Sequence, residues 1–186
     1  MKIYWHGKTC FELVNNEKNQ EPVSIVIDPI DKTYPKKDTN ILLLSHALEY
    51  NKKEKPFVIS AAGEYEVRDI FFQAIPIKEG GLIFIIKFDN VKICHVGNIE
   101  ANELGEAALK ELGRIDVLFI GAGDEDKTKI IKQLEPSIII PMDYDNVELF
   151  LKRLAEKHID PVDYYKIQKR NFDAMEEAEI IVLNKK

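Results

Sequence analysis

Short apolar runs separated by polar turns dominate the first half of the chain. Four consecutive apolar residues at 41–44 predict a strand buried on both faces, since a half-exposed strand would alternate apolar and polar positions. Residues 64–77 do alternate and predict one half-exposed strand. Asp89 and Asn90 both tolerate positive φ, so they predict a two-residue hairpin turn. Further strands are predicted at 1–5, 10–14, 22–27, 57–60, 82–88 and 91–95.

The second half of the chain alternates strands with helices. Residues 100–112 carry an apolar stripe with helical spacing, which Gly113 closes. Asp124 and Asn146 are placed to cap two further helices that run to 134 and 157. Hairpins followed by β-α-β-α units fit two sheets packed face to face with helices outside, in a single domain over the whole chain. The strands of this half are predicted at 116–120, 137–141, 162–168 and 179–183.

Composition excludes some classes of function. The 186 residues carry a formal charge of −6, which argues against nucleic-acid binding because phosphate recognition requires clustered Lys and Arg. No apolar run approaches the ~18 residues of a membrane span, and residues 1–11 lack the apolar segment of a signal peptide. Cys10 and Cys94 lie in apolar surroundings and are expected to be buried free thiols, so we expect a reducing cytoplasm.

Polar residues occupy the ends of several predicted strands. Asp28, His46, His95 and Asp143 each lie at such an end or within two residues of it. Because one site is often assembled from several loops at one edge of a sheet, we expect these side chains to lie close together. Ordinary interpretations also exist: His46 as a packed or solvated side chain, and Asp28 as an acceptor for backbone N–H groups in the next turn. The residues alone leave both open.

Several segments together form a pattern whose order and spacing are informative. They are 5–11, 27–29, 42–46, 63–67, 94–98, 116–120, Glu135-Pro136 and Ile140-Pro141-Met142. In this pattern the chain resembles the metallo-β-lactamase superfamily and is most similar to its ascorbate-lactonase-like branch of predicted zinc-dependent hydrolases. The resemblance covers nearly the whole chain and implies an α/β fold, the four-layer αββα sandwich with two mixed sheets packed face to face and helices outside.

The family's metal site depends on a His-x-His-x-Asp-His segment, a later His, an Asp three residues after it, and a final His after a Pro-Met pair. The resemblance places the first His at His46 and the later one at His95, and both are retained. Asp28 is retained as well, with an implied role in bracing the loop. The other positions carry replacements, namely Leu48, Tyr50, Asn51, Asn98 and Asp143.

These replacements remove most of the ligands. Leu48 has no lone pair, and a neutral Asn side chain binds zinc much more weakly than a carboxylate or an imidazole. Water activation on zinc normally needs at least three protein ligands and an open position. The glycine-rich loop of the family is also shortened, to 121–124. We therefore predict a degenerate site without a cofactor. Such a pseudoenzyme would bind a ligand or partner, or form oligomers with itself or with an active relative.

The alternative is a reduced mononuclear site. His46, His95 and Asp143 form a two-histidine, one-carboxylate set that is compatible with a single Zn, Mn or Fe ion. Such a site would make the chain a hydrolase of lactone or phosphoester substrates. A third hypothesis is a metal-independent enzyme that uses Glu49, Glu64 or Tyr50, but no sequence motif supports it. Two further histidines, His6 and His158, lie outside the family pattern and are interpreted as structural or surface residues.

Overall fold

The computed structural model describes residues 1–16, 21–31, 36–77, 80–88, 90–97, 106–167, 172, 175 and 177–186. The helices are α1 (Glu106–Leu112), α2 (Thr128–Leu134) and α3 (Glu148–Arg153). The strands are β1 (Lys2–Gly7), β2 (Cys10–Asn15), β3 (Val23–Ile27), β4 (Ile41–Leu43), β5 (Phe57–Ile59), β6 (Gly63–Val67), β7 (Ile70–Pro76), β8 (Leu82–Phe88), β9 (Val91–His95), β10 (Val117–Gly121), β11 (Ile138–Met142), β12 (Tyr165–Lys166) and β13 (Glu179–Ile180).

The strands form two mixed sheets, which confirms the fold class expected from the sequence. The first sheet has the order β12-β1-β2-β3-β4-β5 and the second the order β13-β11-β10-β9-β8-β7-β6. In the first sheet β3, β4 and β5 run parallel. In the second sheet β9, β10, β11 and β13 run parallel. The carboxyl ends of parallel strands meet at one edge of a sheet, which is where the strand-end residues are found.

Side chains from the two facing sheets form the main apolar core. Phe11 of β2 stacks on Phe119 of β10 with ring centroids 4.2 Å apart, and both rings are fully buried. Along β3, Ile25 and Ile27 belong to this core, whereas Val26 between them belongs to a separate cluster. Because each large apolar side chain contributes about 1.5–3 kcal/mol on full burial, this core provides much of the stability.

The described helices pack on the outer face of the second sheet. Leu112 of α1, Ile130 of α2 and Phe150 of α3 are buried in one cluster with side chains from β8 to β11. The first sheet has a smaller outer cluster, covered by the loop that follows β4. Within the described residues, none of the helices has the length and apolarity needed to cross a membrane.

Chain segments near the C-terminus join the two sheets. β13 pairs with β11 of the second sheet, and Lys185 then forms a bridge to Trp5 of β1 in the first. Gly7, at the end of β1, has φ +100°, and a Cβ there would lie 2.8 Å from Cε of Lys185. Only glycine lets the Lys185 side chain lie across this turn without a clash.

The single strand predicted at 64–77 is wrong, because this segment is a hairpin of β6 and β7. Val67 pairs with Ile70, and the turn residues Arg68 and Asp69 have φ of 53° and 59°. The apolar alternation changes phase here, from positions 65 and 67 to positions 70 and 72, and a single strand does not account for this change. Asp69 tolerates this conformation, whereas arginine is an unusual residue for it.

The start predicted for α2 is also wrong. The helix begins at Thr128, not directly after Asp124. The carboxylate of Asp126 accepts the backbone N–H of Thr128 at 2.9 Å and forms a local turn just before the helix. Several acidic residues precede this helix, and the pattern could not distinguish which of them begins it.

The other ends are partly as predicted. The Asn146 side chain accepts the N–H of Glu148 at 2.8 Å in a local turn, but the residue at the N-cap of α3 is Val147 and not Asn146. The helix ends at Arg153 because Ala155 adopts φ 60°. Gly113 closes α1 as predicted, with φ +55°. The last two predicted strands shrink to the short β12 and β13. Asp89 and residues 98–105, including the predicted start of α1, lie outside the described residues.

Candidate functional site

The turn between β1 and β2 lies at the edge where the carboxyl ends of the parallel strands meet. The backbone N–H of Asp143, just after β11, donates to the carbonyl oxygen of Lys8 at 3.2 Å. His95, at the end of β9, contacts the carbonyl oxygen of Thr9. Two turn residues of the first sheet are thus hydrogen bonded to two strand ends of the second. This turn connects the sheets where the sequence predicts a site.

Asp28 braces the loop that carries His46. Its buried carboxylate accepts the backbone N–H of Ser45 at 2.7 Å and the Ser45 hydroxyl at 2.6 Å. Nδ1 of His46 lies 2.9 Å from the same hydroxyl oxygen. Because the single hydroxyl proton of Ser45 is donated to Asp28, His46 must donate its Nδ1–H to Ser45. The lone pair of the neutral imidazole is then on Nε2, on an exposed side chain.

His95 is fully buried in an aromatic environment. Its ring makes edge contacts with Phe11 and Phe119, each with centroids 6.1 Å apart. Nε2 lies 3.0 Å from the carbonyl oxygen of Thr9, so it must carry a proton and donate it. Burial lowers the pKa of His95, and the nearby Asp28 carboxylate opposes this only in part. Within the described residues, Nδ1 has no hydrogen-bond partner.

Three replaced positions lie in the loop after β4. Leu48 and Tyr50 are half-buried and pack against the outer cluster of the first sheet, formed by Cys10, Val26, Leu42 and Leu44. Asn51 accepts the backbone N–H of Lys53 at 3.1 Å in a local turn. All three side chains have structural roles that their residue types explain.

Asp143 and Asn98 complete the positions inferred from the sequence. Asp143 adopts the left-handed conformation with φ 51° and lines a cleft next to the β1–β2 turn. Aspartate tolerates this backbone conformation better than most residues do. Asn98 lies outside the described residues.

Comparison with known families and structures identifies the fold family. The family model for the beta-lactamase superfamily domain matches residues 2–143, well over half of the chain. The chain belongs to the metallo-β-lactamase superfamily. A comparison with curated proteins finds no match.

Several solved structures are similar over nearly their full length. A candidate Zn-dependent hydrolase from Thermotoga maritima is 25% identical, with a TM-score of 0.79 over 98% of this chain and 97% of that chain. A candidate metal-dependent hydrolase from Parabacteroides distasonis is 16% identical, with a TM-score of 0.64 over 98% and 93%. YhfI from Bacillus subtilis is 8% identical, with a TM-score of 0.63 over 99% and 97%. The last two support the fold alone.

The described residues offer only part of the donor set that the metal centre of this superfamily would need. Among them, no group of three His, Cys, Asp or Glu side chains is arranged to hold an ion. Nε2 of His95 is occupied by its hydrogen bond to Thr9, so that nitrogen offers no lone pair. Leu48 packs in an apolar cluster and offers none either.

The two histidines outside the family pattern are structural or exposed, as predicted. His6 is buried and contacts the Glu12 carboxylate at 3.1 Å. His158 is exposed, and Glu148 at 2.6 Å raises its pKa. The predicted thiols are also buried and free, and burial raises the pKa of Cys10 and of Cys94 to about 12.

Sequence reasoning missed two groups of residues at this edge. Ser45 and Thr9 are direct partners of the retained Asp28, His46 and His95, but single serines and carbonyl groups carry no motif. A cleft of about 570 Å³ beside the β1–β2 turn was also missed, because its lining comes from distant segments. The lining includes Trp5, Lys8, Asp124, Asp143, Asp145 and Lys185.

Proposed function

We propose that this protein is a metal-free member of the metallo-β-lactamase fold that binds a ligand or partner and does not hydrolyse a substrate. One observation carries the proposal: His95, a retained metal-ligand position, uses Nε2 to bond the carbonyl oxygen of Thr9. The hydrogen bond joins the two sheets inside the protein. We infer that this structural role, and not metal ligation, is the reason that His95 is retained.

Returning His95 to a metal through Nε2 would have a cost. The nitrogen would have to lose its proton, and the Thr9 carbonyl would lose its hydrogen bond. Leaving a buried polar group without a partner costs about 1–3 kcal/mol. The packing of Leu48 and Tyr50 supports the same proposal, since both side chains face an apolar cluster. Metal binding through Nε2 of His95, or at position 48, would need rearrangement in these regions.

Finer assignments belong to the same proposal. The chain would be a single domain of the ascorbate-lactonase-like branch with a degenerate metal site, located in the cytoplasm. It would act as a homo-oligomer, or as a hetero-oligomer with an active relative. Neither nucleic acid nor a membrane would be a partner, in keeping with the net charge of −6.

The test is a screen for hydrolase activity in which the His46→Ala variant is the control. Wild-type protein and His46→Ala would be assayed on lactones, phosphodiesters and phosphomonoesters, each with Zn, Mn or Fe supplied. We expect both proteins to give the same background rate. Metal-dependent turnover that is lost in His46→Ala would overturn the proposal.

The competing function is a hydrolase with one divalent metal at His46, His95 and Asp143. Two observations favour it: within the described residues Nδ1 of His95 has no hydrogen-bond partner, and the His46 imidazole is exposed. The Thermotoga maritima protein, at 25% identity, is itself named as a candidate Zn-dependent hydrolase. The same screen decides between the two functions.

A further inference from the structure

The cleft beside the β1–β2 turn is distinct from the positions of the family metal loop. Of the positions inferred from the family pattern, Asp143 lines it, whereas neither His46 nor His95 is among the described residues of its lining. Its volume of about 570 Å³ is within the range of small-molecule sites. The cleft is therefore large enough to hold a metabolite-sized ligand.

One wall of the cleft is cationic. Lys8 belongs to the β1–β2 turn, and Lys185 pairs with Trp5 of β1 through its backbone. The Lys185 side chain lies across Gly7, where an added Cβ would be 3.4 Å from its Nζ. Both ammonium groups thus come from the first sheet and the segment attached to it. This wall suits a carboxylate or a similar anion.

The wall that belongs to the second sheet is anionic. Asp124 follows β10, and Asp143 and Asp145 follow β11, so all three carboxylates come from adjacent strand ends of the second sheet. Arg153 of α3 holds this wall in place, since it donates to three successive carbonyl groups at 123–125. A fixed set of carboxylates suits an ammonium group.

An apolar surface lies between the charged walls. The indole of Trp5 stacks on Tyr144 with ring centroids 4.9 Å apart, and both residues line the cleft. Leu149 of α3 adds an exposed apolar side chain. A ligand with an aliphatic portion can contact this surface while its charged groups reach the walls.

We propose that this cleft binds a small zwitterion, a molecule of the amino-acid class with an ammonium group and a carboxylate on one short carbon frame. The ammonium faces the Asp124 and Asp145 wall, and the carboxylate faces Lys8 and Lys185. The three carboxylates would repel a dianion, and the two lysines would repel a polyamine. A ligand that carries one charge of each sign therefore matches the charges of the cleft best. This inference rests on the proposed function, because it names the ligand class of the binding protein.

Trp5 makes the test direct, since it is the only tryptophan of the chain and it lines the cleft. Its fluorescence would be followed during titration with L-leucine, N-acetyl-L-leucine and L-leucine amide. The acetyl derivative lacks the cation and the amide lacks the anion, while both keep the side chain. We expect saturable binding of leucine and at least about tenfold weaker binding of each derivative.

Two variants test which wall of the cleft binds the carboxylate of the ligand and which binds its ammonium group. Lys185→Gln should weaken leucine binding by about fivefold or more and leave the amide unchanged, because the amide has no carboxylate. Asp145→Asn should weaken leucine binding and leave N-acetyl-leucine unchanged. Asp160→Asn, remote from the cleft, is the matched control. Equal binding of all three ligands, or no saturable change with any of them, would overturn the inference.

Metal analysis of the same samples separates the proposed metal-free function from the proposed zwitterion site. A metal-free protein that does not bind leucine would leave the proposed function standing and contradict only the zwitterion site. A stoichiometric metal would contradict the proposed function whatever the titrations gave. If the cleft bound the polycation spermidine or the dianion succinate but not leucine, it would prefer ligands of a single charge sign. That result would also overturn the zwitterion assignment.

Discussion

His95 donates its Nε2–H to the carbonyl oxygen of Thr9 over 3.0 Å and so connects the end of β9 to the turn between β1 and β2. The donor belongs to the second sheet and the acceptor to the first. The ring is fully buried between Phe11 and Phe119, so the hydrogen bond is shielded from water. The side chain for which the family pattern predicts metal ligation therefore connects the two sheets.

Removing this side chain should destabilise the fold. His95→Ala loses the cross-sheet hydrogen bond and leaves a cavity in an aromatic core, so we expect the free energy of unfolding to fall by roughly 2–4 kcal/mol. Urea denaturation followed by circular dichroism measures it. His95→Gln, which keeps an amide donor, should lose clearly less than His95→Ala. Equal and small losses in both variants would refute the structural role.

Asp28 should control the tautomer of His46. Asp28→Asn fits the left-handed backbone at φ 45° and can donate its NH₂ to the Ser45 hydroxyl oxygen. Ser45 would then turn its proton to Nδ1 of His46, and the neutral imidazole would carry its own proton on Nε2. Imidazole ¹⁵N chemical shifts at alkaline pH report this change. An unchanged Nδ1–H form in Asp28→Asn would contradict the hydrogen-bond chain described here.

Leu48 should behave as a packing residue. Leu48→His would place a polar ring against the outer cluster of the first sheet, and we expect a loss of about 1–2 kcal/mol in the free energy of unfolding. Lys52→Gln, in the same loop but exposed, should stay within about 0.5 kcal/mol of wild type. A neutral or stabilising Leu48→His, with metal uptake, would instead indicate that the loop remains ready for a ligand.

Acid stability should depend on Glu12. The hydrogen bond from His6 holds the pKa of Glu12 below its ordinary value of 4.5, and burial opposes this only in part. A depressed folded pKa contributes stability above that ordinary value, and this stability is lost as the pH falls through the folded pKa. Glu12→Gln should remove a contribution of at most about 1 kcal/mol at pH 7 and flatten the pH dependence below 5. Identical pH profiles would exclude the coupling.

The sequence predicted the sheets well because buried strands leave a strong pattern. The four apolar residues at 41–44 contain β4, and the alternation around Phe11 and Leu13 matches the face that β2 turns to the core. The β6–β7 hairpin was missed because its turn uses Arg68, which no turn rule favours. Turn geometry depends on φ at single residues, and its trace in this sequence is a change of phase in the apolar spacing between Val67 and Ile70.

The site was predictable only in part. The strand-end positions of Asp28, His46 and His95 followed from the sequence and the family resemblance. Their partners did not follow, because the carbonyl oxygen of Thr9 is a backbone group that every residue has. The cleft combines Trp5 and Lys185 from opposite ends of the chain, and only the folded topology brings them together.

The central claim is that this metallo-β-lactamase fold holds no catalytic metal. Elemental analysis of protein purified from cells grown with added Zn, Mn and Fe, with His46→Ala prepared in parallel, tests it most directly. We predict far less than one metal ion per chain and the same low content in the variant. About one tightly bound ion per chain that disappears in His46→Ala would contradict the account.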